Sequence, residues 1–252
     1  PMQIQGLPDG FKEGPYAFKH NNKYYLTFPW VQDKTETLAY AMADSPMGPF
    51  TFTGIIMDES PSGCWTNHHS ITEYNGQWYL FYHHNDYSPN FDKNRSARID
   101  SLFFNTDGTI KKVKPTLRGV GITDARSKIQ IDRYSTISPY GVTIDYLEPS
   151  NTFEGWQTLF NRAGTWVTYN KVDFGTTPVK RLKARVRSEK GGAITLRTPG
   201  EKGMTIAELP IKPTGKWTEI STNVSNAPTS MQDLIITQTG ENPVAVDWIS
   251  FE

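Results

Sequence analysis

Apolar and polar residues alternate with a period of two along most of the chain, and turn residues separate the alternating runs at short intervals. No run keeps a helical period beyond about two turns. The clearest signals are two hairpins, residues 16–28 turning at Asn21-Asn22 and residues 70–82 turning at Asn75-Gly76. The second pair suits a type I′ turn. The pattern therefore predicts an all-β chain.

The two hairpins repeat one another. Tyr74 lies 54 residues after His20, and the same offset superimposes Tyr79 on Tyr25. A repeat of about 50 residues is the length of a four-stranded propeller blade, and further strand-like runs follow each hairpin. Two repeats cannot close a ring. Either further blades precede this chain, or the repeat is only a pair of similar hairpins.

Alternation stops between residues 114 and 126, where Pro and Gly interrupt the strand pattern. We place a domain boundary near Gly121, so that residues 1–121 form a first predicted domain and residues 122–252 a second.

The second domain contains eight strand-like runs. In one of them Leu182, Ala184 and Val186 alternate with basic residues, as expected for a strand with one face in a core and one in water. Eight short strands in a domain of this length predict a β-sandwich of the jelly-roll type.

Composition narrows the classes of partner. Lys plus Arg number 26, as do Asp plus Glu, so no net field attracts nucleic acid or an anionic membrane. No apolar run reaches membrane-spanning length, and we expect neither partner. Aromatic residues make up 13% of the chain, which suits strand packing and also flat surfaces on which sugar rings stack. The single cysteine, Cys64, excludes an internal disulfide and is expected to be a buried hydrophobe.

The repeat brings two polar positions into equivalent places. Glu13 lies 54 residues before Asn67, so Glu13 and the neighbouring His68 precede equivalent hairpins on different blades. The innermost strands of a propeller line a central channel, where their polar residues converge on a ligand. Gly14 and Pro15 fix the backbone beside Glu13. On this evidence alone, an exposed turn glutamate is the alternative to a site carboxyl.

Four runs carry a family resemblance: KEGP at 12–15, AYAMA with SPMGPF at 39–50, WTNHHSI at 65–71 and WYLFYH at 78–83. They resemble the family 43 glycoside hydrolases, five-bladed β-propellers that act on xylan and arabinan, and the match extends over residues 10–121. The resemblance implies an all-β fold class, a partial five-bladed β-propeller followed by a β-sandwich. It also implies that Glu13 is the general acid.

Family enzymes invert configuration, with a second carboxylate that activates water on the opposite face of the sugar. The resemblance implies that this base, and an aspartate that tunes the acid, lie upstream of Pro1, so the N-terminal blades are expected to be missing from the chain. Glu13 itself requires a raised pKa, through partial burial or a nearby carboxylate, to donate a proton near neutral pH.

The same resemblance implies substrate contacts. His68 aligns with a histidine that projects into the channel and often helps to hold a calcium ion or its water shell. Arg95 aligns with an arginine that reaches the substrate, although Arg98 is an alternative equivalent and a surface salt bridge is the ordinary role. Trp30 and Trp65 flank the repeated hairpins. Each ring could stack on a sugar, and packing within the fold is the alternative role.

The second domain has its own resemblance, carried by KIQIDRY at 128–134, GTWVTY and VDFG within 164–175, and VDWISF at 246–251. These runs look like the family 6 carbohydrate-binding modules, over nearly all of residues 128–252. The resemblance implies a structural calcium between the first and last strands, with Gln130, Asp132 and Asp247 as ligands. Oxygen donors suit this hard cation, although Gln130 stands where the family usually has Glu.

Sugar binding in that family commonly uses an aromatic pair, which the resemblance assigns to Phe160 and Trp217. Phe160 replaces a usual tyrosine and Ala245 a frequent asparagine, and both departures put the usual cleft in doubt. Trp156, in a loop predicted over residues 148–157, is another candidate platform. A module that acts mainly as a structural partner of the propeller is the alternative.

Together these features predict a glycoside hydrolase that acts on plant cell-wall arabinoxylan or xylan, an α-L-arabinofuranosidase or β-xylosidase. The resemblance implies a secreted or periplasmic protein, although the chain shows no signal peptide. The alternatives are a noncatalytic carbohydrate-binding fragment and a lectin-like propeller that has lost catalysis.

Overall fold

The structure is a computed structural model, and it describes residues 4–6, 9, 11, 13–86, 92, 93, 95–201 and 203–252. These residues form twenty strands and two single-turn 3-10 helices, which confirms the predicted all-β class. The chain divides into two compact units, Pro1–Val120 and Gly121–Glu252. Within the described ranges, no helix is long and apolar enough to cross a membrane.

The first unit contains eight described strands: β1 (Ile4–Gln5), β2 (Tyr16–His20), β3 (Lys23–Val31), β4 (Glu36–Ala43), β5 (Phe50–Met57), β6 (His69–Tyr74), β7 (Gln77–His84) and β8 (Ser96–Leu102). Strands β2 to β5 form an antiparallel meander, with β1 added in parallel to β5. Strands β6 to β8 form a second antiparallel meander. Such meanders are the sheets from which propeller blades are built.

Both predicted hairpins are present, as β2–β3 and β6–β7. Asn21-Asn22 and Asn75-Gly76 all have positive φ, which is the backbone that a type I′ turn requires. The second repeat departs from the four-strand expectation. Between β8 and the end of the first unit, the described residues form only the isolated bridge Phe104↔Ile110 and add no fourth strand to this sheet.

A hydrophobic core joins the two meanders. Leu38 and Tyr40 of the first sheet belong to the same buried cluster as Ile71 and Leu80 of the second. The other face of the first sheet carries a separate cluster that includes Phe28. Because side chains alternate along β4, Glu36 lies on the Leu38 face and Thr37 on the Phe28 face.

The second unit contains twelve described strands: β9 (Thr123–Asp124), β10 (Ile129–Gln130), β11 (Thr136–Ile137), β12 (Val142–Tyr146), β13 (Trp156–Phe160), β14 (Trp166–Asp173), β15 (Arg181–Arg187), β16 (Gly192–Arg197), β17 (Thr205–Ile211), β18 (Thr218–Asn223), β19 (Met231–Gln238) and β20 (Val244–Phe251). The 3-10 helices span Ile131–Arg133 and Thr152–Glu154. Two six-stranded sheets result, ordered β12-β13-β20-β15-β18 with β10 beside β20, and β11-β14-β19-β16-β17 with β9 beside β14.

One hydrophobic core fills the sandwich, and it includes Phe160, Leu182, Ala184 and Val186. The alternation predicted for β15 is confirmed, since its apolar residues are buried and its basic residues are not. The sandwich has more strands than the eight predicted runs. In particular, Trp156 begins β13 rather than lying in a loop.

Candidate functional site

Glu13 and His68 meet where the chain enters the two repeated hairpins. The Glu13 Oε1 atom lies 3.8 Å from His68 Nε2, and the Glu13 side chain is 69% exposed. Gly14 makes this approach possible, because it has a φ of +67° and a Cβ there would lie 3.2 Å from His68 Nε2. The convergence expected from the 54-residue repeat is therefore present in the structure.

A cleft of about 450 Å³ adjoins these residues, lined by Glu13, Glu36, Trp65, Thr66, Asp92 and Lys93. Trp65 thus lies beside Glu13, and its backbone N–H donates to the Asp92 carbonyl at 3.1 Å. An aromatic ring and a carboxyl in one cleft are the groups needed to hold a sugar ring and protonate its glycosidic oxygen.

Glu36 is a buried residue of this cleft that sequence reasoning missed, as it missed Asp92 and Lys93. It is buried, with 4% exposed, and its Oε2 atom accepts a hydrogen bond from the Asn67 backbone N–H at 2.9 Å. The contact fixes the backbone immediately before His68. A signal was present in the sequence, since Glu36 is the one charged residue of the otherwise apolar or neutral strand ETLAYAMA.

Two further histidines support the cleft from inside the fold. His69 Nε2 donates to Thr27 Oγ1 at 2.6 Å, because that hydroxyl itself donates to the Tyr16 carbonyl. Burial, with a smaller effect of the His68 charge, lowers the pKa of His69 to about 4. His83 Nε2 contacts Thr66 Oγ1 at 3.2 Å. Burial is also the largest cause that lowers the pKa of His83 to about 4. Both imidazoles are therefore neutral at pH 7.

Arg95 and Arg98 differ sharply in their surroundings. Arg95 is exposed, and its charge contributes, after burial, to a His83 pKa of about 4. The Arg98 side chain is 4% exposed, forms a 2.7 Å ion pair with Asp86 and donates to the Thr116 carbonyl. These contacts give Arg98 a structural role and favour Arg95 as the residue that is free to reach a substrate.

Trp30 does not line the cleft in the described structure. Its ring packs edge-on against Phe52 at 5.5 Å, and its indole N–H donates to the Asp9 carbonyl at 2.7 Å. Trp30 pairs with Thr37, so it lies on the sheet face opposite Glu36. The assignment of Trp30 to the substrate site is corrected to a packing role.

In the second unit, only one member of the predicted aromatic pair, Trp217, has exposed surface. Phe160 is fully buried in the sandwich core, between Val142 and Val244 on the flanking strands. A ring with no exposed surface cannot stack on a sugar, so the prediction for Phe160 is wrong. Its position in a β-strand points the ring into the core, and a phenyl group needs no polar partner there.

Trp217 is half-buried beside two arginines. The guanidinium carbons of Arg185 and Arg187 lie 5.3 and 5.1 Å from the centre of its ring, within the range of cation–π attraction. Arg187 also lines a cleft of about 370 Å³ together with Leu159, Ser188, Glu189, Lys190, Asn242, Pro243 and Ala245. This cleft offers both apolar surface and hydrogen-bond donors.

Trp156 is also half-buried. Its ring stacks on Tyr146 with 4.5 Å between centroids and 24° between planes. One face of the indole is therefore already covered by a cross-strand partner.

The predicted calcium ligands include two buried carboxyls, Asp132 at 3% and Asp247 at 5% exposed. Burial, with a smaller effect of Asp247, raises the pKa of Asp132 to about 6. Burial also raises the pKa of Asp247, although Arg185 opposes it from 2.6 Å. Gln130 is exposed. Across the described ranges, no three His, Cys, Asp or Glu residues are grouped to hold a metal. The predicted set has only two such residues, both aspartates, since its third member is Gln130.

The folds and clefts define an all-β protein in which propeller-like blades precede a β-sandwich module. Residues 5–110 match the family model of the glycosyl hydrolases family 43, and residues 138–252 match that of the carbohydrate binding module (family 6). These two matches together span most of the chain, and they agree with the two resemblances predicted from the sequence.

Among curated proteins, the chain is 28% identical over 258 residues to an arabinoxylan arabinofuranohydrolase of Paenibacillus polymyxa, a match covering 90% of this chain and 40% of that protein. It is 43% identical over 109 residues to a beta-xylosidase of Xylanibacter ruminicola, covering 42% and 32%. The chain therefore spans well under half of each relative's length.

Among solved structures, the chain resembles a family 43 arabinoxylan arabinofuranohydrolase from Bacillus subtilis, crystallised in complex with cellotetraose. The TM-score is 0.62 at 24% sequence identity, and the match covers 96% of this chain and 54% of that one. The likeness supports the fold, a partial propeller followed by a sandwich.

Proposed function

We propose that the protein containing this chain hydrolyses glycosidic bonds of arabinoxylan or xylan, as an α-L-arabinofuranosidase or β-xylosidase, with Glu13 as general acid. The observation that carries the proposal is the meeting of Glu13 with His68 at 3.8 Å beside a cleft that Trp65 also lines. The names of the relatives, an arabinoxylan arabinofuranohydrolase and a beta-xylosidase, agree with that chemistry.

The proposed mechanism is a single displacement. Glu13 donates its proton to the leaving oxygen while a second carboxylate, typically about 6.5–9.5 Å away, activates a water on the opposite face of the sugar. Glu36 is unsuited to that second role, because it is buried and holds the Asn67 N–H. We propose that the base belongs to a part of the family fold that this chain does not span.

The Glu13 side chain is 69% exposed in this chain, so a substrate can reach its carboxyl. A sugar seated against Trp65 would remove water from the carboxyl and favour its protonated form. Arg95 is exposed, and its positive charge lowers the pKa of His83, which contacts Thr66 of the cleft. From this position its guanidinium would donate hydrogen bonds to the hydroxyls of a bound sugar. His68 would contact the substrate or orient Glu13 through the 3.8 Å approach.

In the second unit we propose sugar binding at the cleft beside Trp217, which would keep the enzyme on a plant cell-wall polysaccharide. A protein with this substrate would be secreted or periplasmic. The ring of Trp217 and the guanidinium of Arg187 supply stacking surface and donors in one place.

We also propose a structural calcium near Asp132 and Asp247. Two buried carboxyls whose pKa values are raised fit a cation site, because a bound cation would offset the cost of burying their charges. Asp132 and Asp247 would hold the ion with the amide oxygen of Gln130. Calcium would supply no chemistry there beyond joining the first and last strands. The channel metal that the resemblance implies for His68 also stays a proposal.

The test of Glu13 uses Glu13→Gln in the complete protein. The variant should lose roughly 10²–10⁴-fold in kcat on arabinoxylan, the usual contribution of a general acid. It should lose much less on an activated dinitrophenyl pentoside, whose leaving group needs no proton. Glu73→Gln, which changes an exposed glutamate of β6, is the matched control. Equal losses on both substrates, or none, would remove Glu13 from the acid role.

The second candidate function is noncatalytic carbohydrate binding, favoured by the 69% exposure of Glu13 in this chain. The 252-residue chain, assayed alone on nitrophenyl arabinofuranoside and xyloside, separates the two. Turnover by the chain alone would exclude the noncatalytic function. Binding without turnover, with activity restored in the complete protein, would assign catalysis to the whole enzyme.

A further inference from the structure

The second unit presents an exposed aromatic ring that no sequence motif identified. Tyr140 lies in the loop between β11 and β12 and is 65% exposed. The guanidinium carbon of Arg162 lies 4.1 Å from the centre of the Tyr140 ring. Because Arg162 covers one face of the ring, the exposed surface of Tyr140 is the opposite face and the edge.

The loops that carry the two residues are held together closely. The Asn161 N–H donates to the Gly141 carbonyl at 2.8 Å, and the Ser138 N–H donates to the Trp166 carbonyl at 2.9 Å. Gly141 has a φ of +81°, and a Cβ there would lie 2.6 Å from Thr165 Cγ2 and 3.3 Å from Arg162 Nε. The positive φ and the close Thr165 methyl require glycine at position 141, and this tight packing of the two loops holds Tyr140 beside Arg162 before any ligand arrives.

A groove of about 410 Å³ runs beside the ring, lined by Tyr140, Arg162, Thr165, Trp166 and their loop neighbours. Among the described residues no carboxylate lines it, so the Arg162 guanidinium is not paired with an acidic side chain in this groove. A flat ring next to guanidinium and hydroxyl donors is suited to a pyranose or furanose ring, whose C–H face stacks while its hydroxyls accept hydrogen bonds.

We infer that Tyr140 and Arg162 form a sugar-binding surface of the module that takes a neutral pentose oligosaccharide, in place of the buried Phe160. This inference rests on the proposed carbohydrate binding of the second unit, but it assigns the contact to residues other than Trp217. Tyr140 stacks on the sugar with its free face, and Arg162 fixes the ring and donates to the hydroxyls.

The experiment measures xylohexaose binding to the full 252-residue chain by calorimetry. Tyr140→Ala should weaken binding about tenfold, the equivalent of roughly 1.4 kcal/mol for one aromatic contact. Tyr140→Phe keeps the ring and should stay within about twofold of wild type. Phe153→Ala is the matched control, because Phe153 is an aromatic residue of the same unit that is 98% exposed. Thermal melting verifies that each variant is folded.

Each outcome decides the inference. Wild-type affinity in Tyr140→Ala would overturn it. If Trp217→Ala alone abolished binding while Tyr140→Ala did not, the module would bind through the Trp217 cleft, and only the inference would fail. If the wild-type chain bound no xylohexaose, both the inference and the proposed role of the module would be wrong. An equal loss in Phe153→Ala would likewise exclude a specific role for Tyr140.

Discussion

The candidate sites of the two units differ in how well the sequence predicts the positions of their side chains. In the first unit, Glu13 and His68 approach to 3.8 Å, as the repeat predicts. In the second, Phe160 occupies the position that the family resemblance assigns to sugar binding, yet it has no exposed surface. A repeat fixes where the backbone goes, whereas a resemblance assigns a role to a side chain whose direction it does not fix.

The chemistry of the side chains explains the difference. Glu13 cannot be buried without a partner, so its carboxyl stays at the surface of the cleft wherever the backbone brings it. A phenyl ring has no such requirement, and replacing the usual tyrosine by Phe160 removes the hydroxyl that would keep an edge of the ring near water. Polar site residues are therefore more predictable in position than aromatic ones.

The largest effect expected from this contrast is on stability. Phe160→Ala should lower the free energy of unfolding of the second unit by about 4 kcal/mol, because it leaves a cavity in a fully packed core. Urea unfolding followed by tryptophan fluorescence measures the change.

Phe153→Ala is the control, and it should change stability by less than about 0.5 kcal/mol, since its side chain is 98% exposed. Full stability of Phe160→Ala, combined with lost sugar binding, would contradict the buried assignment and return Phe160 to the binding surface.

The two arginines of the first unit provide the next test. Arg98→Met should cost the first unit about 3 kcal/mol, because it removes the buried guanidinium that pairs with the half-buried Asp86 carboxylate at 2.7 Å. Arg95→Met should leave the melting temperature unchanged and raise KM for arabinoxylan in the complete protein.

The opposite pattern would exchange the two roles. A stable Arg98→Met with impaired substrate binding, beside an unstable Arg95→Met, would show that Arg98 is the residue that reaches the sugar.

Much of the fold followed from alternation and turn chemistry. The hairpins β2–β3 and β6–β7 were predictable because Asn-Asn and Asn-Gly accept positive φ at both turn positions. Strands β9 and β11 were not predictable as strands, since each spans two residues and pairs with a partner distant in sequence. The run predicted over residues 128–134 is a strand only at β10, and it continues as a 3-10 helix. Two-residue strands carry too little alternation to be recognised.

The site was predictable only where local sequence determines it. Glu13, His68 and Trp65 flank recognisable hairpins, so the approach of His68 and Trp65 to Glu13 was accessible from the sequence. Glu36 was not, because its contact with Asn67 joins residues 31 positions apart. Tyr140 was missed for a related reason. Its exposure and its contact with Arg162 depend on how two loops meet, which no pattern in either loop reveals.

A smaller effect concerns pH. His69 is neutral in the folded protein down to about pH 4, whereas an unfolded histidine binds a proton near pH 6.5. Between these values the unfolded state binds more protons, so the stability of the first unit falls as the pH drops through this window. His69 should account for about 2 kcal/mol of the loss, below the roughly 3 kcal/mol that this pKa difference gives at pH 4, because its side chain is only partly buried.

The variant His69→Gln should show a shallower decline in urea unfolding measured from pH 7 to pH 4. Part of the slope will persist, because burial lowers the pKa of His83 in the same direction. A slope equal to that of the wild type would mean that His69 is protonated in the folded state, and that burial does not keep its ring neutral.

The smallest expected effect separates a calcium site from two carboxyls that are merely buried. Free calcium at about ten times its dissociation constant should stabilise the second unit by about 1.4 kcal/mol at pH 7.5, and removal by EDTA should reverse the gain.

Asp132→Asn should abolish the response without lowering calcium-free stability, because it removes a charge that burial disfavours. Asp145→Asn, which changes an exposed carboxyl of β12, should leave the response intact. Identical unfolding curves with calcium and with EDTA would mean that Asp247 is satisfied by Arg185 alone, and that the strands need no cation to join them.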